Sequence, residues 1–181
     1  MHFKFHIHLN DTDYLNYNIF WMLKSPYGKK QMLKFRISIA ILFAVISFLS
    51  LFGGGFSAVA WIGIIPYAIL LVLFELLLNP FFVWVLKSNI KSLKSKGKMG
   101  YSPVSEIEFY DESFIEITPD NKSEQKYSAV ERVSVIEDKV IYIHVNNVMS
   151  YILPLPCFDS KEQYNAFLDF IRTKCANIER Y

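Results

Sequence analysis

The hydrophobic pattern changes twice along the chain, and each pattern predicts a different kind of element. Residues 3–9 alternate strictly between apolar and polar side chains, which is typical of a half-buried β-strand. Residues 37–74 form an apolar block without a charged side chain. Short alternating runs return after residue 103. The order therefore predicts a strand, then apolar helices, then a sheet.

The apolar block is long enough for two membrane-spanning helices. One span needs about 20 apolar residues, and the block has 38. Three consecutive glycines, at 53–55, interrupt it and tolerate the tight reversal that a hairpin requires. We predict a transmembrane hairpin over residues 36–86, with spans at about 36–53 and 57–79. A buried soluble hairpin is disfavoured, because the first helix is apolar on all sides and little chain remains to cover it.

Charge is distributed very unevenly around this block. The 181 residues carry a net charge of +2, but six basic and two acidic groups precede residue 37. Five lysines follow in residues 87–98, and residues 99–181 carry eight basic and fourteen acidic groups. The positive-inside rule then places both termini in the cytoplasm of a multi-pass protein of the cell (plasma) membrane. We expect no cleavable signal peptide, because the apolar run begins late.

Glu75 is the single acidic residue of the predicted hairpin. If the turn is centred near residue 55, Glu75 lies near the inner edge of the hydrocarbon and pairs with Arg36 or Lys34. If the second span runs instead from about 62 to 86, Glu75 lies near mid-membrane, where a functional role gains weight. An Asn-Pro pair at 79–80 favours the first register, because a kink or boundary is expected there.

The C-terminal region predicts a meandering antiparallel sheet. Strands are expected at residues 104–110, 114–117, 127–136, 140–145 and 148–153. Residues 118–123 are expected to form a loop, and Asn146-Asn147 is a strong signal for a hairpin turn.

A helix is predicted to close this sheet. Asp159 and Glu162 have the spacing of a capping box. One apolar stripe then recurs at helical spacing. Its members are Tyr164, Phe167, Leu168, Ile171, Cys175 and Ile178.

The N-terminal strand is expected to join this sheet, because a lone strand is unstable in water. A helix capped by the acidic segment 11–13 should follow, from about Asp13 to Lys24. Its aromatic residues fit either the membrane surface or core packing. The fold class is therefore an α+β membrane protein with a two-helix transmembrane hairpin and a cytoplasmic antiparallel sheet with a closing C-terminal helix. The predicted parts are 1–35 (strand and juxtamembrane helix), 36–86 (hairpin), 87–103 (basic linker) and 104–181 (sheet and helix).

Several of these features together resemble the YcxB-like family of bacterial membrane proteins. They are the first strand, the acidic cap before a Tyr-rich helix, the Ser-Pro and lysine run, the apolar hairpin, the segment Tyr127-Ser-Ala-Val-Glu-Arg-Val133 and the ending Ile152-Leu-Pro-Leu-Pro-Cys-Phe158. The resemblance implies a C-terminal region similar to a pleckstrin-homology-like domain, in which a helix closes a bent antiparallel sheet. An ordinary four-stranded sheet with one helix is the alternative. The resemblance carries no activity.

The sequence offers little chemistry. His6 and His8 share a strand face but have no third ligand at a reliable position, so a solvated face is favoured over a metal site. The four acids at 106, 108, 111 and 112 lack the interleaved spacing of a calcium loop. Cys157 and Cys175 are expected to be free thiols, and no nucleotide-binding or zinc-protease motif is present. We therefore expect no enzyme activity, no metal and no cofactor.

Two functions remain open. The first is a membrane-anchored cytoplasmic interaction or regulatory module with a protein partner of unknown identity. The alternative is sensing of lipid headgroups at the inner leaflet. Its predicted contacts are Lys87, Lys91, Lys94, Lys96 and Lys98. The lipid bilayer is the expected partner in both cases, and neither nucleic acid nor a small-molecule substrate is indicated.

Overall fold

A computed structural model of the chain describes residues 1–54, 62–137, 139–146 and 149–181, with the side chains of 51–54 left undescribed. The chain forms two compact units. The sheet unit comprises residues 1–17 and 97–181, and the helical unit comprises residues 18–96. The helical unit is thus an insertion within the sequence of the sheet unit.

Twelve helices and strands of the described residues define the fold. The helices are α1 (Asp11–Leu23), α2 (Pro26–Gly54), α3 (Ile65–Ser95) and α4 (Lys161–Lys174). The strands are β1 (Phe3–His8), β2 (Val104–Phe109), β3 (Ser113–Ile117), β4 (Lys122–Lys126), β5 (Arg132–Ile136), β6 (Val140–His144), β7 (Ser150–Pro154) and β8 (Ile178–Arg180).

The strands form two four-stranded sheets. The first has the order β1-β2-β3-β4 and is antiparallel throughout. The second has the order β7-β6-β5-β8, in which the short β8 runs parallel to β5. In the first sheet Phe5 lies opposite Ile107, so the strand before the helical unit pairs with the strand after it. The predicted joining of the N-terminal strand to the C-terminal region is confirmed.

The core of the sheet unit is rich in aromatic rings. The apolar side of α4 packs into it, and Phe167 is fully buried with its ring centroid 5.0 Å from Phe5 and 4.8 Å from Phe109. Val133 and Val135 point into the same core, as their alternation predicts. The sheet unit is therefore α+β, and α4 is the predicted closing helix.

A polar side chain caps the N-terminus of α4 and that of α1. Ser160, rather than Asp159, caps α4, because its Oγ accepts a hydrogen bond from the backbone N–H of Gln163. Asn10 plays the same part for α1, where its side-chain oxygen accepts from the N–H groups of Thr12 and Asp13. The prediction placed the cap of α4 one residue too early, at Asp159, and the cap of α1 one to three residues too late, within residues 11–13. In both places several neighbouring polar residues could cap the same backbone N–H groups.

Three predictions for the sheet unit are wrong. The strand expected at 127–136 begins only at Arg132, because Tyr127–Ala129 forms a 3₁₀ helix. The polar segment Lys122–Lys126 is a strand, although two of its five residues were predicted as loop and no apolar alternation marks it. It pairs with β3 alone, and an edge strand of this kind needs no buried face. Ile178, which was assigned to the helical stripe, lies instead in β8, because α4 ends at Lys174. Asn147 and Val148 of the predicted hairpin lie outside the described residues.

The helical unit contains two helices that are long and apolar enough to cross a membrane by length and composition. They are Pro26–Ser50 within α2 and Ile65–Ser95, which is α3. Of the kink or boundary expected at Asn79-Pro80, the boundary is wrong, because α3 continues through Pro80 and ends sixteen residues after Asn79. Pro80 lacks the backbone N–H that would continue the helical hydrogen bonds, and α3 nevertheless spans it. Gly55 and the proposed start of the second span at residue 57 lie outside the described residues.

Candidate functional site

The outer surfaces of α2 and α3 are strongly apolar. A soluble protein rarely exposes a large contiguous patch of this kind, which is typical of a surface that faces lipid or another protein. Exposed members include Ile37, Ile41, Leu42, Val45, Phe48 and Leu49 of α2, and Ile69, Leu70, Val72, Leu73, Leu76, Leu77, Phe81 and Trp84 of α3. The patch continues around most of each helix.

The two helices pack against each other along a narrower stripe. Less exposed residues recur every three or four positions, which places them on one face of each helix. They include Met32, Arg36, Ile39, Ala40 and Phe43 of α2, and Tyr67, Leu71, Phe74, Glu75, Leu78 and Phe82 of α3. Phe35 and Phe82 meet edge to face with their centroids 5.7 Å apart. Two charged residues, Arg36 and Glu75, therefore lie within an otherwise largely apolar stripe.

Arg36 is the centre of a polar cluster between the helices. Its Nη1 lies 3.4 Å from Glu75 Oε2, and its Nη2 donates a hydrogen bond of 3.0 Å to Asn79 Oδ1. Glu75 and Asn79 are one helical turn apart on α3, so both reach the same guanidinium. Of the two cations predicted to pair with Glu75, the structure brings Arg36 to it. Lys34 is exposed, and within the described residues it has no ion pair with Glu75.

Asn79 is the member of this cluster that the sequence analysis missed. The sequence analysis interpreted it, together with Pro80, as a kink or a helix boundary. Its spacing of four residues from Glu75 is the signal that places both side chains on one face of α3. The signal becomes useful only when the helix is known to continue beyond residue 80.

The five predicted lipid-contacting lysines lie at the end of α3 and just beyond it. Lys87, Lys91 and Lys94 follow each other at intervals of four and three residues, so they share one face of the helix. Lys96 follows the last turn, and Gly97 then adopts a positive φ of 68°. All five, including Lys98, are exposed. Cations at a helix C-terminus also interact favourably with the helix dipole.

Two cavities open near the start of α2. One of 240 Å³ is lined by Leu23, Lys29, Met32, Leu33, Arg36 and Asn79. The other, of 410 Å³, is lined by Trp21, Met22, Gly28, Gln31, Met32, Lys34, Phe35, Ser38 and Phe82. Both combine apolar walls with lysine or arginine, and neither has an acidic lining residue.

The sheet unit contains a buried chain of polar side chains. Tyr17 of α1 donates a hydrogen bond of 2.8 Å to Ser150 Oγ. Ser150 Oγ lies 2.7 Å from His144 Nδ1, and His144 Nε2 lies 3.1 Å from Ser134 Oγ. These groups form a consistent relay when Ser150 donates to Nδ1 and the imidazole carries its proton on Nε2.

The environment keeps this imidazole neutral. His144 is 1% exposed, and burial, with a smaller effect of Arg132, lowers its pKa to about 4. Burial also raises the pKa of Tyr17. The arrangement ties α1 to the second sheet and has no exposed nucleophile or base. The ring nitrogens of His144 contact the hydroxyl groups of Ser150 and Ser134.

The exposed face of β1 is occupied by ion pairs with β2. Lys4 Nζ lies 2.6 Å from Glu106 Oε1 and 3.1 Å from Glu108 Oε1. His6 Nδ1 also lies 3.1 Å from Glu106. A hydrogen bond from Tyr110 lowers the pKa of Glu108, and a hydrogen bond from Lys4 lowers it further. Of the four acids at 106, 108, 111 and 112, three pair with basic side chains, namely Glu106, Glu108 and Asp111. The described residues contain no group of three or more metal-ligating side chains.

Both cysteines are free thiols. Burial raises the pKa of Cys157 to about 12 and that of Cys175 to about 11. A thiol reacts as its thiolate, so neither cysteine has the character of a nucleophile at neutral pH.

Comparison with known proteins locates one recognisable segment. No curated protein and no solved structure matches the chain. A protein-family model matches residues 109–171, which run from the last residue of β2 to Ile171 in α4 and contain β3 to β7. This segment covers most of the C-terminal part of the sheet unit and contains two of the features on which the resemblance rests, residues 127–133 and 152–158. Residues 109–171 match the model of the YcxB-like protein family, which confirms that resemblance for this segment.

Proposed function

We propose that the protein is a two-pass membrane protein whose sheet unit acts in the cytoplasm as an interaction or regulatory module without catalytic activity. The exposed apolar surfaces of α2 and α3 support insertion, because about 25 cal/mol is gained for each Å² of apolar surface removed from water. The two stretches of 25 and 31 residues are long enough to cross the hydrocarbon core.

The pairing of β1 with β2 is the observation that carries this topology. β1 precedes the two apolar helices and β2 follows them, yet their backbones are hydrogen-bonded from Phe3–Phe109 to His8–Val104. Both strands must lie on the same side of any membrane. An even number of crossings is therefore required, and two helices provide it.

The charges support a cytoplasmic location for the sheet unit. Lysines and Arg36 precede the apolar part of α2, and five lysines lie at the end of α3 and after it. The connection between the helices, residues 55–64, has no charged residue. The positive-inside rule favours the orientation in which this connection faces outward.

The structure of the sheet unit supports binding of a protein partner. Two four-stranded sheets around α4 agree with the pleckstrin-homology-like arrangement that the family resemblance implies, and they leave the edge strands β1, β4, β7 and β8. A peptide can add to such an edge through main-chain hydrogen bonds. β4 is the most exposed of these strands, with three of its five residues exposed.

Labelling of single cysteines tests the topology. In a Cys157→Ser/Cys175→Ser background, we introduce Gly54→Cys or, as the matched variant, Lys96→Cys. A membrane-impermeant maleimide should label the first in intact cells and the second only after permeabilisation. Labelling of both from the same side, or release of the chain from membranes by alkaline carbonate, would contradict the proposal.

Binding of lipid headgroups by the lysines of α3 is the second candidate function. It is favoured by the common face of Lys87, Lys91 and Lys94, because each cation near an anionic surface contributes about 1 kcal/mol. The sheet unit itself is a poor candidate, since residues 99–181 have six more acidic than basic groups. Replacement of all five lysines by glutamine should lower binding to phosphatidylglycerol nanodiscs without affecting protein partners. Unchanged lipid binding would contradict this second function, and the lysines would then serve only to orient the helices in the membrane.

A further inference from the structure

The cavity of 240 Å³ at the start of α2 has a divided lining. Lys29, Arg36 and Asn79 supply polar side chains, whereas Leu23, Met32 and Leu33 supply apolar walls. All six belong to the helical unit. Along α2 the two apolar residues Met32 and Leu33 lie between the two cations, and such a lining fits an anionic group that carries apolar substituents.

The polar side chains of the cavity retain unused hydrogen-bond donors. Arg36 has five N–H donors, and its contacts with Glu75 and Asn79 use two of them. The Asn79 side chain accepts from Arg36 through its oxygen, which leaves its NH₂ group to donate. The Lys29 ammonium adds three more donors. The lining therefore has several hydrogen-bond donors close together. Among the described residues, the one acidic side chain beside them is Glu75, which contacts Arg36.

The position of the cavity along α2 matches the edge of a bilayer. Lys29 precedes Arg36 by seven residues, or about 10 Å of helix. From Arg36 to Gly54 the helix rises about 27 Å without another charge, which is close to the thickness of a hydrocarbon core. Lys29, Arg36 and the apolar residues between them, Met32 and Leu33, therefore lie at headgroup level, at the edge of the hydrocarbon core.

We propose that this cavity binds the headgroup of one anionic phospholipid of the surrounding leaflet, with its phosphate held by Lys29, Arg36 and Asn79 and its glycerol region against Met32 and Leu33. The inference rests on the proposed insertion into a membrane. Charge complementarity favours an anionic lipid, because the lining has two cations, Lys29 and Arg36, and the carboxylate of Glu75 compensates only one of them. This site differs from the lysines at the end of α3.

Native mass spectrometry of the full chain in detergent tests the site. Dioleoylphosphatidylglycerol is titrated against the protein, with dioleoylphosphatidylcholine in a parallel series. We expect one tightly retained phosphatidylglycerol. Lys29→Gln should weaken its retention about fivefold, which is the factor for loss of one cation near the headgroup. Lys30→Gln is the matched control, since Lys30 is an exposed neighbour that lines neither cavity, and it should change retention less than twofold.

The outcomes separate the cavity from its alternatives. Equal effects of Lys29→Gln and Lys30→Gln would overturn the proposal in favour of general attraction by the basic segment. Inorganic phosphate at millimolar concentration should not displace the lipid, and displacement would show a site for free phosphate. Leu33→Asn should weaken retention of the lipid, and an unchanged value would contradict the contact with the apolar wall.

Failure of this inference can be told apart from failure of the proposed function. A chain that resists alkaline carbonate extraction but retains no phosphatidylglycerol overturns the lipid site alone. A chain that is released by carbonate overturns membrane insertion, and the lipid site falls with it.

Discussion

Arg36 Nη1 lies 3.4 Å from Glu75 Oε2 across the interface of the two apolar helices. Both side chains are about one-third exposed, with 37% for Arg36 and 31% for Glu75. Each would be costly to bury alone, and each compensates the other. The pair also fixes which turn of α2 lies beside which turn of α3.

Glu75→Gln should lower the stability of the helix pair without changing its topology. The amide keeps a hydrogen-bond acceptor but leaves the Arg36 charge without its counter-charge, at a cost of about 1–2 kcal/mol. Thermal melts of the full chain in detergent measure this. The double variant Arg36→Met/Glu75→Leu should recover part of the loss, because an apolar pair replaces a charged one. A Glu75→Gln melting curve identical to the parent's would contradict the ion pair.

Tyr17→Phe should weaken the attachment of α1 to the second sheet. The substitution keeps the ring but removes the hydrogen bond to Ser150 Oγ, which costs about 1 kcal/mol for a part-buried hydroxyl pair. Hydrogen exchange of α1 amides, measured by mass spectrometry, should become faster. Tyr14→Phe is a comparison within the same helix. Equal protection in Tyr17→Phe and the parent would show that ring packing alone holds α1.

Acid should destabilise the sheet unit through His144. Because burial lowers its pKa to about 4 while the unfolded imidazole titrates near 6.5, the unfolded state binds the proton more tightly. The stabilisation is complete above pH of about 6.5 and is lost progressively as the pH falls to about 4, by up to about 3 kcal/mol. Circular dichroism melts of the full chain across this range should show the slope.

His144→Gln provides the control for this titration. The variant should be less stable at neutral pH, because the relay to Ser134 and Ser150 is disturbed. Its stability should also vary less between pH 6.5 and 4. An unchanged slope would assign the acid sensitivity to other groups.

Gly28→Ala should disrupt the junction between α1 and α2. A Cβ at this position would fall on the backbone carbonyl oxygens of Trp21 and Met22, which cannot move aside as a side chain can. We expect a loss of about 1–3 kcal/mol in detergent melts. Gly97→Ala is the comparison, since its Cβ would meet open space and cost only the strain of a positive φ, about 1 kcal/mol. A larger effect at Gly97 would contradict the close approach at Gly28.

The sequence predicted most of the sheet unit because its strands alternate. Val133 and Val135, and the β1 strand around Phe5, are buried as the period of two requires. The strand Lys122–Lys126 could not be predicted in this way, since its five residues are all polar and its pairing with β3 is a tertiary contact. Ile178 has the spacing of the apolar stripe of α4 only by coincidence, because α4 ends at Lys174 and β8 begins at Ile178.

The candidate site was only partly predictable. Arg36 and Glu75 stand out as charges within or beside an apolar block, so their pairing could be expected from sequence alone. Asn79 could not, because Pro80 beside it is a signal for a helix end. The contribution of Lys29 was hidden for another reason. It is one of several lysines before the block, and only the folded arrangement shows which of them lines a cavity.

The pairing of Phe5 with Ile107 also constrains how the protein is made. The ribosome synthesises β1 first and its partner β2 only after about a hundred further residues, with both apolar helices in between. The first strand must therefore wait, unpaired, until residues 18–103 have been synthesised. During that time its unpaired backbone groups and apolar side chains are open to aggregation and to proteases.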